Sequence, residues 1–499
     1  MSGAKVIVIG GGLNGLAAAG LLAKAGREVH VYEARDALGG LAAGVPFADG
    51  YTAPGLLHDT AMVRPWVADA LGLAQHGLQR EASPAAVTIP TERGAITLRG
   101  AEVSGDVGPG DADGVRRYTA LVDAVRPVLA RIMDQAPLDP RASLLSLLKT
   151  GLAVRRLGAA TMLELMQVAP MCVADWTRSL GLSEPLAAAL SLPAVEGSFT
   201  GPWSAHTATT ALVRAALSGP AVVGGAPALV KAVVAAAKAH GAHLHTGARV
   251  TRILSDGARV SGVELASGEK VTADAVLSTL DPRSTFLCLS GPTDLPLGLV
   301  EDAKRYRMRG TTVKVHLALT GPLEDAAGNR ITALRATPSL DDVERAFDAA
   351  KYRAAAEAPA LDVVVREDMA TAPGHAVASI VAHAASYDLA GGWTDDARQR
   401  FGRAALDVLS RHCPTVRDRV AHMEVLAPPD IAERYGVTGG HVLHGEHAPD
   451  QLLFLRPSVH CGAHRTPIAG LYVGGGATHP GGGLTLGPGG LAARAILSK

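Results

Sequence analysis

Val6-Ile7-Val8-Ile9-Gly10-Gly11-Gly12-Leu13-Asn14-Gly15 joins an apolar, β-branched run to a glycine loop. The run reads as a buried parallel strand. Leu13 to Ala25 is rich in Ala and Leu and reads as a helix, with Gly26 as its C-cap. Val29 to Tyr32 reads as a second strand. Glu33 stands at its end, 18 positions beyond Gly15. Each residue type has a reason to be there. Gly10 permits the tight turn, Gly12 lets backbone approach a pyrophosphate, and Gly15 lets the helix lie close to the strand. Leu13 and Asn14 open the helix, whose N-terminus offers free N–H groups and a positive dipole end to phosphate. Glu33 can accept hydrogen bonds from ribose hydroxyls and disfavours a 2′-phosphate. A lone Gly-x-Gly-x-x-Gly is weak evidence. Strand, loop, helix, strand and acid in order predict a dinucleotide-binding Rossmann unit.

The rest of the composition narrows the class. The chain has 499 residues, enough for two or three domains with ample cores. Lys+Arg and Asp+Glu are both 47, so the net charge is zero, which argues against a polyanion-binding protein. Aromatics are 4%, too few for a base-stacking surface. No nucleic-acid partner is expected. The cysteines, Cys172, Cys288, Cys413 and Cys461, form no Cys-x-x-Cys pair, so neither a redox dithiol nor a zinc site is expected. Scattered thiols fit a reducing compartment. The strand pattern starts at Lys5, leaving no room for a cleaved signal peptide. No run approaches the ~18 apolar residues of a membrane span. A cytoplasmic protein is expected, with at most peripheral membrane contact and possible self-association.

Glu33-Ala34-Arg35-Asp36-Ala37-Leu38-Gly39-Gly40 separates FAD from NAD. It resembles the extended motif of flavoproteins in the amine oxidase and phytoene desaturase superfamily. The resemblance implies that Gly39 and Gly40 close over the FAD pyrophosphate, with Ala34 and Arg35 beside it. Many members carry Arg after the glycine pair, where this chain has Leu41. That phosphate contact is either lost or supplied by Arg35 or another residue. No second Gly-x-Gly-x-x-Gly opens a helix after a strand, so a separate NAD(P)H domain is not expected.

Later segments extend the pattern. Gly224 to Leu229 leads into an apolar helix reaching His240. Ala248–Ile253, Val260–Leu265 and Lys270–Ser278 alternate with period two around an Asp256-Gly257 turn and read as a small antiparallel sheet. In the resembling family the backbone at the Val250 position meets the adenine. Gly470 to Gly476 reads as a strand entering a glycine loop. Thr478-His479-Pro480-Gly481-Gly482-Gly483 follows, then a helix from about Leu484 to Leu497. Gly475, Gly476, Gly483 and Leu484 are therefore expected at the flavin. There, glycines permit close approach and a helix N-terminus stabilises charge on the reduced ring.

The whole chain resembles the phytoene desaturase-like FAD oxidoreductases. Within them it more closely resembles the subgroup named pyridine nucleotide-disulfide oxidoreductase domain-containing protein 2. Supporting stretches are Ser183–Leu190, Tyr387–Trp393, Gly439–Glu446 and Asp450–Pro457. Trp203 and Ala205-His206-Thr207 replace the Pro-Gly-Ser/Thr that members often show. The fold class is α/β. A discontinuous Rossmann-type FAD-binding domain is expected over 1–62, 220–300 and 436–499. An α+β substrate domain is expected over 63–219 and 301–435, with a sheet that includes Thr311 to Leu319. Ala354 to Ala360 reads as a surface connection. Leu144 to Leu157 reads as a substrate-domain helix, with a membrane-surface segment as the alternative.

Three residues are candidates for catalysis. Lys314, in Gly310-Thr311-Thr312-Val313-Lys314-Val315-His316, resembles the amine oxidase strand whose lysine holds a water against flavin N5. The competing reading is an edge-strand lysine facing solvent. His58, soon after the glycine pair, suits acid–base work. His444 is a candidate for lining the flavin or substrate cavity. No histidine spacing suggests a metal site. The resulting expectation is hydride transfer from an apolar or amphipathic substrate to flavin N5, with reoxidation by dioxygen or a quinone. Carotenoid- or retinoid-like substrates are implied by the resemblance alone. Amine oxidation, double-bond isomerisation and a respiratory-chain partner-binding role are the alternatives.

Overall fold

The computed structural model describes residues 3–137, 151–152, 154–291, 293 and 295–498. Five parallel strands form one sheet, in the order Leu471–Val473, Ala275–Ser278, Lys5–Ile9, Glu28–Tyr32 and His243–His245. Three distant parts of the chain thus meet in one sheet. The helices Leu13–Lys24, Gly225–Ala239 and Gly487–Leu497 cover one face, burying Leu16, Leu22, Leu229, Val233 and Ile496. Each fully buried Leu or Val contributes roughly 1.5–3 kcal/mol relative to exposure. The opposite face packs on Phe286, Leu299 and the antiparallel meander Val250–Ser255, Val260–Leu265 and Lys270–Thr272.

One expected strand run divides. Lys270–Thr272 stays in the meander, while Ala275–Ser278 joins the parallel sheet beside Lys5–Ile9. All four residues of Ala275–Ser278 are buried, as a parallel strand covered on both faces requires. The last helix starts at Gly487 rather than near Leu484. Leu486 takes a left-handed φ of 62°, and the helix begins only after it, with Pro488 in its first turn.

The second sheet has eight strands. Their order is Val420–Leu426, Thr312–Leu319, Ala376–Ala385, Ala355–Arg366, Ala333–Ala336, Val87–Pro90, Ala95–Arg99 and Glu102–Gly105. Its pairings are antiparallel except where Leu334 meets Thr88. Of the residues expected as a surface connection, 355–360 are therefore strand. Ala355 pairs with Ala385 and Ala360 with His383, and the register break between them accommodates Pro359.

Alternation along Thr312–Leu319 sets up the site. Val313, Val315, Leu317 and Leu319 enter a core with Phe401, Ala405 and Leu409 of the helix Asp395–His412. Thr312, Lys314 and His316 point to the other face, and they too are buried. Among the described residues no helix is long and apolar enough to cross a membrane. Most of the segment 144–157 lies outside the described residues. Cys172, Cys413 and Cys461 are buried, Cys288 is exposed, and all are free thiols.

Candidate active site

A partly open cavity runs along the C-terminal edge of the parallel sheet. At one end lies Glu33. Its Oε2 accepts from the Gly11 N–H at 2.7 Å and its Oε1 from the Arg35 N–H at 2.9 Å. The carboxylate is thereby fixed at the strand end with lone pairs remaining for a ligand. Gly10, Gly12, Leu13 and Asn14 form the next wall. The first turn of the helix leaves N–H groups without intrahelical partners, and Asn14 Oδ1 is buried with no partner in the protein. Gly39 and Gly40 close the opposite side. The Gly39 N–H donates to Gly11 O at 2.8 Å, and a Cβ on Gly40 would lie 3.0 Å from Gly12 Cα. Two glycine segments can approach this closely only because neither has a side chain.

Arg35 lines the same cavity. It donates to Gly40 O at 3.0 Å and lies 4.9 Å over the Tyr435 ring. Leu41 is buried in the cavity wall. At the far end stand Gly476, Gly483, Leu484, Leu57 and His444. His444 holds a left-handed φ of 55° and its Nδ1 is buried without a partner in the protein. Such a conformation outside glycine is maintained only where surrounding structure enforces it.

Four expected residues do not line this cavity. Ala34 is exposed beside it. Gly15 serves helix–strand packing, since a Cβ there would stand 2.1 Å from Gly10 O. Gly475 likewise abuts Thr279 O, at 2.0 Å from a built Cβ. Val250 is buried in the core between the parallel sheet and the meander.

Leu57 connects this cavity to a buried polar cluster. Lys314, fully buried, donates from Nζ to His58 Nδ1 at 3.2 Å. That bond leaves the proton of the neutral ring on Nε2, which faces Asp362 Oδ1 at 4.0 Å. Asp362 in turn pairs with Arg335 at 3.1 Å. Sheet register explains the meeting. Lys314 and Asp362 both pair with Val381, so their side chains share one face, and Arg335 is the partner of Asp362. Burial pulls the Lys314 ammonium down to about 7, against the attraction of Glu196 and Asp362. Burial and the neighbouring Lys314 charge hold His58 well below the usual imidazole range. Burial raises Glu196.

Lys314 is therefore an internal lysine with partners, not an edge-strand lysine in solvent. His58 meets it, whereas His444 belongs to the cavity wall. The other residues of the cluster, Asp362, Arg335 and Glu196, escaped the sequence reading. Asp362 and Arg335 had a visible signal, polar positions in phase on apolar strands. Glu196 follows the helix Glu184–Val195 and had none. His441 and His447 diverge from His444. His441 Nδ1 accepts from the Leu443 and Gly445 N–H groups, while His447 lines a separate cavity.

The profile of the flavin containing amine oxidoreductases matches residues 13–401. The chain belongs to this family. The family's cofactor fits the long cavity: an acid for the ribose end, a helix N-terminus and paired glycines for the pyrophosphate, and glycine backbone at the flavin end. Among curated relatives, pyridine nucleotide-disulfide oxidoreductase domain-containing protein 2 of Rattus norvegicus is 29% identical, covering 96% of this chain and 90% of its own length. Hydroxyneurosporene desaturase of Rubrivivax gelatinosus is 26% identical, over 97% of this chain and 90% of its own. Among solved structures, wild-type putrescine oxidase bound to putrescine superposes with a TM-score of 0.63 at 16% identity. The match covers 100% of this chain and 99% of that one. The last likeness concerns the fold. The family is that of FAD-dependent oxidoreductases, and this chain is one of them.

Proposed function

We propose that the chain is an FAD-dependent dehydrogenase of the desaturase type, removing two hydrogens from an apolar or amphipathic substrate. A quinone or dioxygen is the final acceptor. Bound FAD supplies the two-electron acceptor for the substrate's hydrogen. Gly10, Gly12, Leu13, Asn14, Glu33, Arg35 and the Gly39–Gly40 pair hold its nucleotide end. Gly476, Gly483 and Leu484 support the flavin end.

One observation carries the reading. The cavity wall at Leu57 passes directly into His58, which is bonded to the buried Lys314. A proton-exchanging pair thus stands next to the cofactor cavity, shielded from bulk water. The neutral His58 ring accepts at Nδ1, and Lys314 can hold or release a proton near neutrality. An amine-oxidising site of the aromatic-cage kind is not favoured. Tyr435 is the one aromatic among the described residues lining the cavity, and it stacks on Arg35.

The test is anaerobic mixing of the FAD-loaded protein with two donor sets, polyene or terpenoid C–H donors and primary amines. Bleaching of the flavin absorbance by the first set alone supports the reading. Bleaching by amines alone overturns it in favour of amine oxidation. Product formation without bleaching or acceptor consumption overturns it in favour of redox-neutral isomerisation.

A further inference from the structure

Arg214 stands between the polar sheet face and a neighbouring cavity with an apolar wall. We infer that the substrate is an amphipathic anion, with an apolar body in the cavity formed by Met62, Met133, Val213, Leu217 and Leu452 and an acidic head toward Arg214 and Lys314. This rests on the dehydrogenase reading above and names the substrate class for it.

Arg214 is the link. It lines the apolar cavity and lies 3.9 Å from Glu196 Oε2. Glu196 belongs electrostatically to the cluster of Lys314, Asp362 and Arg335. Pro480, Gly481 and Gly482 form another wall of this cavity, and the next residue, Gly483, lines the cofactor cavity. An occupant therefore lies against the strip of chain that borders the flavin end. Met62, Met133, Val213, Leu217, Leu452 and Pro480 give this cavity its apolar wall, which suits a hydrocarbon body, and Arg64, Arg214, His447 and three threonines line the rest.

The sheet face is unlike a hydrocarbon site. Buried polar atoms without a protein partner gather on it or over it: Thr312 Oγ1, His316 Nδ1, Ser379 Oγ, both ring nitrogens of His383, and Glu196 Oε1. Thr312 pairs with His383 and His316 with Ser379 in the register that places Lys314 beside Val381. All of these strand side chains therefore share the face of Lys314. Buried polar groups are ordinarily satisfied, so such a concentration marks a place for polar atoms of water or ligand. A pure hydrocarbon would leave them unpaired.

The charges select the sign. Lys314, Arg335 and Arg214 face the carboxylates Asp362 and Glu196. His58 and His316 are held neutral by burial and by Lys314. Asp59, which also acts on Arg335, is exposed and screened by solvent. With Lys314 protonated one cation is in excess, the Arg434–Glu424 pair beside His316 being balanced, and burial favours the neutral form of Glu196. An anionic head balances the set and an ammonium is repelled by it. An anion also favours the charged form of Lys314, so binding takes up a proton above neutral pH.

The experiment compares retinoate with retinol, and palmitate with hexadecanol, on the FAD-loaded protein. Binding is read from perturbation of the flavin spectrum and from calorimetry in two buffers of different ionisation enthalpy. The acid of each pair is expected to bind about tenfold more tightly or better, with proton uptake at pH 8. In Arg214→Met the acid's advantage shrinks to about twofold while alcohol binding is kept. Equal or tighter binding of the alcohols, or an acid preference unchanged in Arg214→Met, overturns the inference. The wild-type comparison and the proton count need no variant to fold. Acid binding without any donor bleaching the flavin would retain this inference and defeat the dehydrogenase reading. Bleaching by neutral terpenoids with no acid preference would do the reverse.

Discussion

Lys314 Nζ donates to His58 Nδ1 across 3.2 Å, joining the inner face of the eight-stranded sheet to the segment that walls the cofactor cavity at Leu57. Neither residue is near the other in sequence. On the proposed function, the bond would tie proton chemistry at Lys314 to the cofactor cavity. Lys314→Met is expected to slow anaerobic flavin reduction by substrate about 100-fold, while the bound flavin keeps its spectrum and stoichiometry. Stopped-flow reduction checks this. An unchanged rate constant would remove Lys314 from the chemistry.

Stability should report the same lysine. Its folded value, about 7, lies below its ordinary 10.5. Between those values the unfolded chain binds the extra proton, so Lys314 makes stability rise with pH over that window. Below about 7 its full destabilising contribution is present. Urea denaturation at pH 7 and pH 9 should therefore show a larger gain, or a smaller loss, for the wild type than for Lys314→Met. Identical pH responses in the two proteins would mean that Lys314 titrates normally.

The glycines of the first loop should separate into two kinds. Gly12 has an ordinary φ of −72°, and the nearest atom to a Cβ there is Gly40 Cα at 3.8 Å. Gly12→Ala is expected to fold normally and to bind FAD at least about tenfold more weakly, because the methyl enters the space of the pyrophosphate. At Gly15 the same methyl meets Gly10 O at 2.1 Å. Gly15→Ala is expected to lower thermal stability even in the apoprotein, by about 1–3 kcal/mol. Apoprotein melting and FAD titration of both variants check the division.

Arg35 stands at the cavity beside Leu41. If it replaces the arginine missing from position 41, Arg35→Ala should weaken FAD binding about tenfold or more, with a loss that shrinks at high salt. Adding arginine back as Leu41→Arg in the Arg35→Ala background should recover part of the affinity. Fluorescence titration of the apoprotein measures both.

Much of this arrangement was legible in the chain. The first strand, glycine loop, helix and acid follow local rules, and local rules survive folding. The fate of Ala275–Ser278 was not, because a short apolar run reads alike in a meander and in a parallel sheet. Its all-buried environment comes from residues 471–473 and 5–9, far away in sequence. Ala354 to Ala360 reads as a connection because Ala and Pro are poor strand formers, yet residues 355–360 open the strand Ala355–Arg366. Its place is imposed by pairing on both sides. At the site, Lys314 stood out as a charge in an apolar strand. His58 stood out singly, and Asp362 and Arg335 were in phase on apolar strands, but their meeting with Lys314 comes from sheet register and a loop crossing, which no spacing encodes. Gly475 and Val250 fit the family pattern without lining the cavity: Gly475 packs on Thr279 O, and the Val250 side chain lies in the core.

The most direct test of the account is the absorbance spectrum of the purified protein, followed by anaerobic titration with NADH and NADPH. The account predicts a flavin spectrum at one FAD per chain that neither nicotinamide bleaches, because one dinucleotide unit is built and it holds FAD. No flavin, even after FAD is added to the protein, would contradict the central claim. Rapid bleaching by a nicotinamide would contradict the single-nucleotide dehydrogenase and make the chain a nicotinamide-driven reductase.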